Sequence, residues 1–83
     1  MAHWLVYMLR CGDGTLYVGV SNRLDDRLAA HRLGKGARYT RGRGPLRLLY
    51  VEHAGPQGDA LRREAEMKRL SRANKLKLAG VRP

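Results

Sequence analysis

The three residues Gly12-Asp13-Gly14 lie between two short apolar runs, His3–Cys11 and Thr15–Val20. Both runs are rich in branched and aromatic side chains, and the glycine-aspartate punctuation between them marks a β-hairpin. The loop length decides which side chains share a face, because a slip of one residue turns every side chain over. A two-residue loop, Asp13-Gly14, would pair Gly12 with Thr15 and put Tyr7 and Tyr17 on opposite faces. A three-residue loop with Gly14 in the left-handed region pairs Cys11 with Thr15, Leu9 with Tyr17 and Tyr7 with Gly19. Tyr7 and Tyr17 then become diagonal neighbours on one face, about 7–8 Å apart at Cα. Gly19, without a side chain, leaves room opposite Tyr7. The three-residue loop is the expectation.

Beyond the hairpin, Ser21 or Asn22 caps a helix that carries Asp25 and Asp26 in its first turn and ends at Gly34. Leu24 and Leu28 face inward, with Ala29 or His31, and Arg27 and His31 lie four apart on one side. Residues 35–45 form a basic, glycine-punctuated connection with one helical turn near Arg38. A third strand covers Leu46–His53. Asp59 caps the next helix, and Ser71 caps a last short helix stopped by Gly80. The order ββαβαα points to one α+β domain spanning residues 1–83. Three short strands cannot close a barrel, so helices cover a small, mostly antiparallel sheet.

The chain has 83 residues and a net charge of +10, from seventeen Lys and Arg against seven Asp and Glu. So short a chain builds one modest core, and its site is expected to be a shallow groove rather than a deep pocket. Two stretches hold basic residues without an acid: Arg32, Lys35, Arg38, Arg41, Arg43 and Arg47, then Lys68, Arg69, Arg72, Lys75 and Lys77. Such a field attracts polyanions, and the arginine fork suits phosphate. Lys35, Arg38, Arg41, Arg43, Lys68 and Arg72 are the candidate nucleic-acid contacts, with Tyr39 as a stacking platform for a base. Cys11 is the sole cysteine, so no internal disulfide forms, and no Cys/His cluster has zinc spacing. The apolar run Trp4–Leu9 is too short for a membrane span or a signal segment, which points to a cytoplasmic protein with no membrane partner. There is no phosphate-binding glycine-lysine loop and no dinucleotide fingerprint.

Tyr7 within Leu5-Val6-Tyr7, Tyr17-Val18-Gly19, Arg27, His31, the Gly34–Arg41 stretch and Glu64 within Ala60–Leu70 come in an order and spacing that resembles the GIY-YIG endonuclease superfamily. The likeness extends from about Trp4 to Leu78 and is greatest to its small stand-alone bacterial branch. Leu5 and Val6 replace the glycine and isoleucine of the first motif, and Val18 replaces the isoleucine of the second. Both tyrosines and Gly19 are retained. Some members also use an asparagine near the C-terminal end, and Asn74 is a loose counterpart.

The resemblance implies a structure-selective endonuclease that hydrolyses a phosphodiester with one divalent metal, leaving a 5′-phosphate and a 3′-hydroxyl. A phosphodiester is anionic and its alkoxide leaves poorly. The site therefore needs positive charge at the phosphate, a metal at the leaving oxygen and a base for the water. On the family pattern Glu64 holds Mg²⁺ or Mn²⁺, with water completing the shell, and Arg27 binds the scissile phosphate. Tyr7 is the general base or orients the water, and Tyr17 bonds the phosphate or the water. A phenol is a poor base at neutral pH unless cations lower its pKa, a task open to Arg27 and the metal. His31 assists proton transfer or pairs with phosphate. The residues leave open which tyrosine takes the proton. His3 and His53 have no evident partner. DNA is expected before RNA, with a protein partner as a possible source of specificity. Two other classes fit the same composition: a basic DNA- or RNA-binding module that does not cut, and an accessory subunit of a repair complex.

Overall fold

A computed structural model of the chain describes residues 3–81. The first strand, β1 (Trp4–Arg10), and the second, β2 (Leu16–Ser21), pair antiparallel. Tyr7 stands opposite Gly19 and Leu9 opposite Tyr17. The Cys11 N–H donates to the Thr15 carbonyl at 2.9 Å, and the Gly14 N–H to the Cys11 carbonyl at 2.9 Å. Gly14 has φ +85°. The hairpin thus has the three-residue loop and the register that the sequence predicts.

The third strand, β3 (Arg47–Gly55), joins the other side of β1, also antiparallel, giving the order β2-β1-β3. It runs two residues past His53, because Trp4 continues the ladder opposite Gly55. Two register shifts accompany it. Met8 faces Tyr50 while Leu9 faces Leu48, and Leu5 faces His53 while Trp4 faces Gly55. Leu49 and Ala54 are therefore extra residues on β3, the signature of bulges.

Helices cover both faces of the sheet. Val6, Met8 and Val18 pack with Ala60 and Met67 of α2 (Gln57–Lys68), and Leu78 of α3 (Arg72–Leu78) closes on the same cluster. On the opposite face Tyr7 and Leu9 pack with Leu28 of α1 (Leu24–Arg32), flanked by Tyr17, Leu24, Leu46, Leu48 and Val51. His31 is the second buried residue of α1, and Ala29 is exposed. A single 3₁₀ turn, Arg38–Thr40, interrupts the connection before β3. Among the described residues no helix is long and apolar enough to cross a membrane.

Two helix starts differ from expectation. Ser21 is the last residue of β2, and its hydroxyl accepts the Arg23 N–H at 2.9 Å, so it closes the strand-to-helix turn while Arg23 takes the cap position. α2 begins at Gln57 with Pro56 as its cap, three residues before the position at which Asp59 would have capped it. Proline has the right φ for a helix start and no N–H to leave unpaired. Asp59 sits in the first turn, where a negative charge is favoured, and pairs with Arg62. Ser71 caps α3 as read from the sequence, its hydroxyl accepting the Asn74 N–H at 3.1 Å. Asn74 enters the fold through that backbone bond.

Gly14 tests the hairpin. A Cβ there would meet nothing within 4 Å, so Gly14→Ala adds only the left-handed backbone penalty, about 1–2 kcal/mol. For a domain of this size Tm should fall by about 5–15 °C. Thermal unfolding followed by circular dichroism checks it, and an unchanged Tm would argue against this turn.

Candidate active site

The hairpin register and one helical turn of α1 bring four side chains together. Tyr7 and Tyr17 project from neighbouring strands with ring centroids 6.3 Å apart. From α1, His31 meets both edge-on, at 5.9 Å from Tyr7 and 5.3 Å from Tyr17. Arg27, one turn earlier on the same side of the helix, sets its guanidinium beside both phenols. Tyr7 has no exposed surface, and His31 and Thr40 are each 2% exposed. The Tyr7 hydroxyl lies 2.8 Å from His31 Nε2, and His31 Nδ1 lies 2.8 Å from Thr40 Oγ1. The Thr40 hydroxyl donates to the Ala37 carbonyl at 2.9 Å.

Two glycines make the arrangement possible. A Cβ on Gly19 would stand 2.6 Å from the Tyr7 oxygen, and one on Gly36 would stand 2.3 Å from His31 Nδ1. A recess of about 270 Å³, lined in part by His31, Thr40 and Pro45, reaches the imidazole from the connection.

The electrostatics run against one expectation. Burial pushes the Tyr7 phenol up to about 12, with Tyr17 adding to the rise, and outweighs Arg27, which pulls it down. Removing water from around a phenolate costs more than one partly exposed cation returns. The Tyr7 hydroxyl in turn holds the Arg27 guanidinium above its ordinary value. Burial, helped by the Arg27 charge, lowers His31, so its ring is neutral at pH 7.

Glu64 stands apart from these four. It lies on α2, across the sheet from α1. Its side chain is 18% exposed and lies 3.5 Å from Lys68 Nζ, one turn on. Lys68 in turn lines a groove of about 280 Å³ with Leu16, Tyr17, Val18, Tyr39 and Lys75. Among the described residues no three His, Cys, Asp or Glu side chains cluster to hold a metal. A single half-buried carboxylate fits a hydrated hard cation such as Mg²⁺ or Mn²⁺, which keeps most of its water, and does not fit a closed zinc cage.

The predicted nucleic-acid contacts divide into two groups. Lys35, Arg38 and Arg41 are exposed along the connection. Arg43, Lys68 and Arg72 have partners within the chain. Arg43 bonds Asp13 at 2.5 Å, and Arg72 donates to the Gly14 carbonyl at 2.5 Å. The Gly12 N–H also donates to the Arg43 carbonyl, so the hairpin loop is clasped to the connection. Tyr39 is 41% exposed. It stacks on Tyr17 at 5.9 Å and carries the Arg43 guanidinium 4.5 Å from its ring centre.

Residues 3–77 match the GIY-YIG catalytic domain. The chain belongs to the GIY-YIG family. A UPF0213 protein of Oceanobacillus iheyensis is 51% identical over 73 residues, covering 88% of this chain and 85% of its own length. The solution NMR structure of a UPF0213 protein from Bacillus halodurans is 45% identical, with TM-score 0.59 over 96% of this chain and 84% of its own. The solution NMR structure of an E. faecalis protein is 29% identical, with TM-score 0.64 over 96% of this chain and 86% of its own. The α+β fold of this GIY-YIG chain is shared with both structures.

Thr40 and Gly36 escaped the sequence reading, although both lie in the Gly34–Arg41 stretch that it singled out. Nothing in their spacing announces a partner on α1. His3 and His53, which had no evident partner, meet each other: His53 Nδ1 lies 2.9 Å from His3 Nε2 at the far end of β1 and β3.

The lowered His31 pKa makes a prediction about stability. The unfolded chain takes up a proton near the ordinary pKa of about 6.5 while the folded ring stays neutral. Stability should therefore fall as pH drops below about 7. His31→Gln should remove that part of the slope, as read by the difference in Tm between the two proteins at pH 7 and pH 5. Parallel slopes would mean that His31 is not held neutral by the fold.

Proposed function

We propose that this GIY-YIG chain is a metal-dependent endonuclease that hydrolyses phosphodiesters in structured DNA, leaving a 5′-phosphate and a 3′-hydroxyl. The observation that carries the proposal is the meeting of Tyr7, Tyr17, Arg27 and His31 at one point, beside a groove bordered by Lys68 and Lys75. A polyanion drawn to the +10 surface would run along that groove, and Arg27 would meet the scissile phosphate beside the two phenols. Its planar fork suits two phosphate oxygens at once, and its charge opposes the charge that builds up as water attacks. Tyr17 would bond the phosphate or the water. Tyr7 would take the proton of the attacking water. A hydrated Mg²⁺ or Mn²⁺ held by Glu64 would supply positive charge at the departing 3′ oxygen.

A second reading is a module that binds without cutting. The observation in its favour is the Tyr7 phenol at about 12, which is fully protonated at neutral pH. In the endonuclease reading that proton must first move to a neighbour.

Glu64→Gln separates the two readings. It keeps size and hydrogen bonding and removes the charge that a metal needs. With labelled branched, nicked, single-stranded and RNA substrates, the parent should cut at least one DNA structure in Mg²⁺ and none in EDTA. The variant should lose at least about 100-fold, or roughly 2.7 kcal/mol of transition-state stabilisation. Its binding in EDTA should hold or tighten, and its fold should barely change, since Gln keeps the size of the half-buried side chain and the i,i+4 pair with the largely exposed Lys68 contributes about a few tenths of a kcal/mol. Equal cutting by both proteins would remove Glu64 from the mechanism. Cutting by neither would favour the binding module.

Binding should also be salt-sensitive. With roughly six phosphates contacted, log K should fall against log salt with a slope near −5 on duplex DNA. Arg38→Ala should flatten the slope by about one unit and leave cleavage intact. A slope near zero would disconnect the positive charge from nucleic acid.

A further inference from the structure

We propose that Thr40 is a positioning residue for the reaction: it fixes which nitrogen of His31 carries the proton, and so gives the Tyr7 proton a single acceptor. The proposal rests on the reading that Tyr7 handles the proton of the attacking water.

The chain Tyr7–His31–Thr40–Ala37 has one polarity that satisfies every contact. Ala37 ends it with a carbonyl oxygen, which has no proton to give. The 2.9 Å approach of Thr40 Oγ1 to that oxygen is a hydrogen bond only if the Thr40 proton lies between them. Reversing the hydroxyl would set two lone-pair-bearing oxygens against each other at a threonine that is 2% exposed. With its one proton so committed, Oγ1 offers only lone pairs to His31 Nδ1, 2.8 Å away. Nδ1 is therefore the protonated nitrogen. The neutral ring leaves Nε2 bare, and Nε2 accepts the Tyr7 O–H across 2.8 Å. The Ala37 carbonyl also accepts the Thr40 N–H at 3.1 Å, which anchors the 3₁₀ turn that presents the hydroxyl. Gly36 presses on the other side of the ring, where a Cβ would stand 2.3 Å from Nδ1.

The consequence concerns where protons go. As a phosphate settles at Arg27, the Tyr7 O–H bond breaks and an Nε2–H bond forms, leaving a phenolate beside an imidazolium. The imidazolium keeps Thr40 as the acceptor for Nδ1–H. The phenolate oxygen then takes a proton from the attacking water as the water oxygen bonds to phosphorus. The 3′ oxygen leaves and takes a proton from solvent. His31 returns Nε2–H to solvent once product departs, which restores the resting pair. With the opposite tautomer Nε2 already carries a proton and Tyr7 has no base. Positioning of this kind, in which one group sets the tautomer of a catalytic imidazole, is worth orders of magnitude where it has been removed in other hydrolases. Thr40 touches neither substrate nor reacting atoms in this scheme.

Heteronuclear NMR of the imidazole nitrogens tests the tautomer in the unaltered protein, without substrate. The expected result is His31 neutral at pH 7, with hydrogen on Nδ1 and Nε2 unprotonated. Hydrogen on Nε2 would overturn the proposal, whatever the protein cuts. Thr40→Val removes the hydroxyl and keeps the shape, and Thr40→Ser keeps the hydroxyl. Valine should release the tautomer and lower kcat by about 100-fold with KM within about threefold. Serine should keep the Nδ1–H signal and cut within about threefold of the parent. A valine variant that stays folded, loses the Nδ1–H signal and still cuts as the parent does would overturn the positioning role. If the parent cuts nothing, the endonuclease reading and the role of Thr40 in catalysis fail together, while the NMR result still decides the tautomer.

Discussion

The Tyr7 oxygen occupies the space that a side chain on Gly19 would need, 2.6 Å from where its Cβ would stand. That vacancy exists at the right place only because the Gly12-Asp13-Gly14 loop sets the register of the hairpin. Adding or removing one loop residue would turn Tyr17 to the α2 face and present a bulky neighbour to Tyr7. The ring would then have no slot, His31 would lose its phenol partner, and α1 would have to dock differently against Leu9 and Leu28. The position of the polar cluster and the seat of α1 follow from one loop and the absent side chain of Gly19, and the burial of His31 needs the absent side chain of Gly36 as well.

The buried part of the site is neutral and the exposed part is charged, and this separation makes the cluster tolerable in so small a core. A buried charge needs a partner, whereas a phenol, an imidazole and a hydroxyl can satisfy one another without any net charge. Among the described residues no fully buried side-chain nitrogen or oxygen lacks a partner. Arg27 stays at the rim, where water still screens it. A negatively charged guest placed there would meet a cation backed by groups that carry no charge of their own.

Much of this was legible in the sequence, for reasons that can be named. A glycine in a short loop between two apolar runs has few conformations open to it, so the strand pairing followed. Leu24 and Leu28 recur at helical spacing, so the buried side of α1 followed, while the choice between Ala29 and His31 stayed open until the structure buried His31. The family resemblance, with that spacing, grouped Tyr7, Tyr17, Arg27, His31 and Glu64 in one site; the structure brings the first four together and leaves Glu64 apart on α2. The start of α2 was missed because Pro56 competes with Asp59 as a capping signal, and backbone φ outweighed the side-chain acceptor. The direction of the Tyr7 shift was missed because sequence shows which charges are near but not how much water is lost. Thr40 was invisible because its partner is nine residues away across an aperiodic connection. His3 and His53 meet only once β3 has found β1. The two surplus residues of β3 left no periodic trace for the same reason.

Those two residues, Leu49 and Ala54, have an effect on shape. Both turn toward the side where α2 and α3 lie, together with Tyr50. Glu52 reaches the same side and is gripped by Arg63 of α2 at 2.7 Å. Over the same length of sheet the other side receives Leu48, Val51 and His53. The two surfaces of one sheet are thus unequally upholstered: a crowded side that two helices seal, and a sparser side that one helix of nine residues covers in part. A longer strand laid against a shorter one also bends the ribbon, as the outer lane of a track is longer than the inner. Asymmetry of this kind lets a three-stranded sheet serve as foundation on one side and workplace on the other.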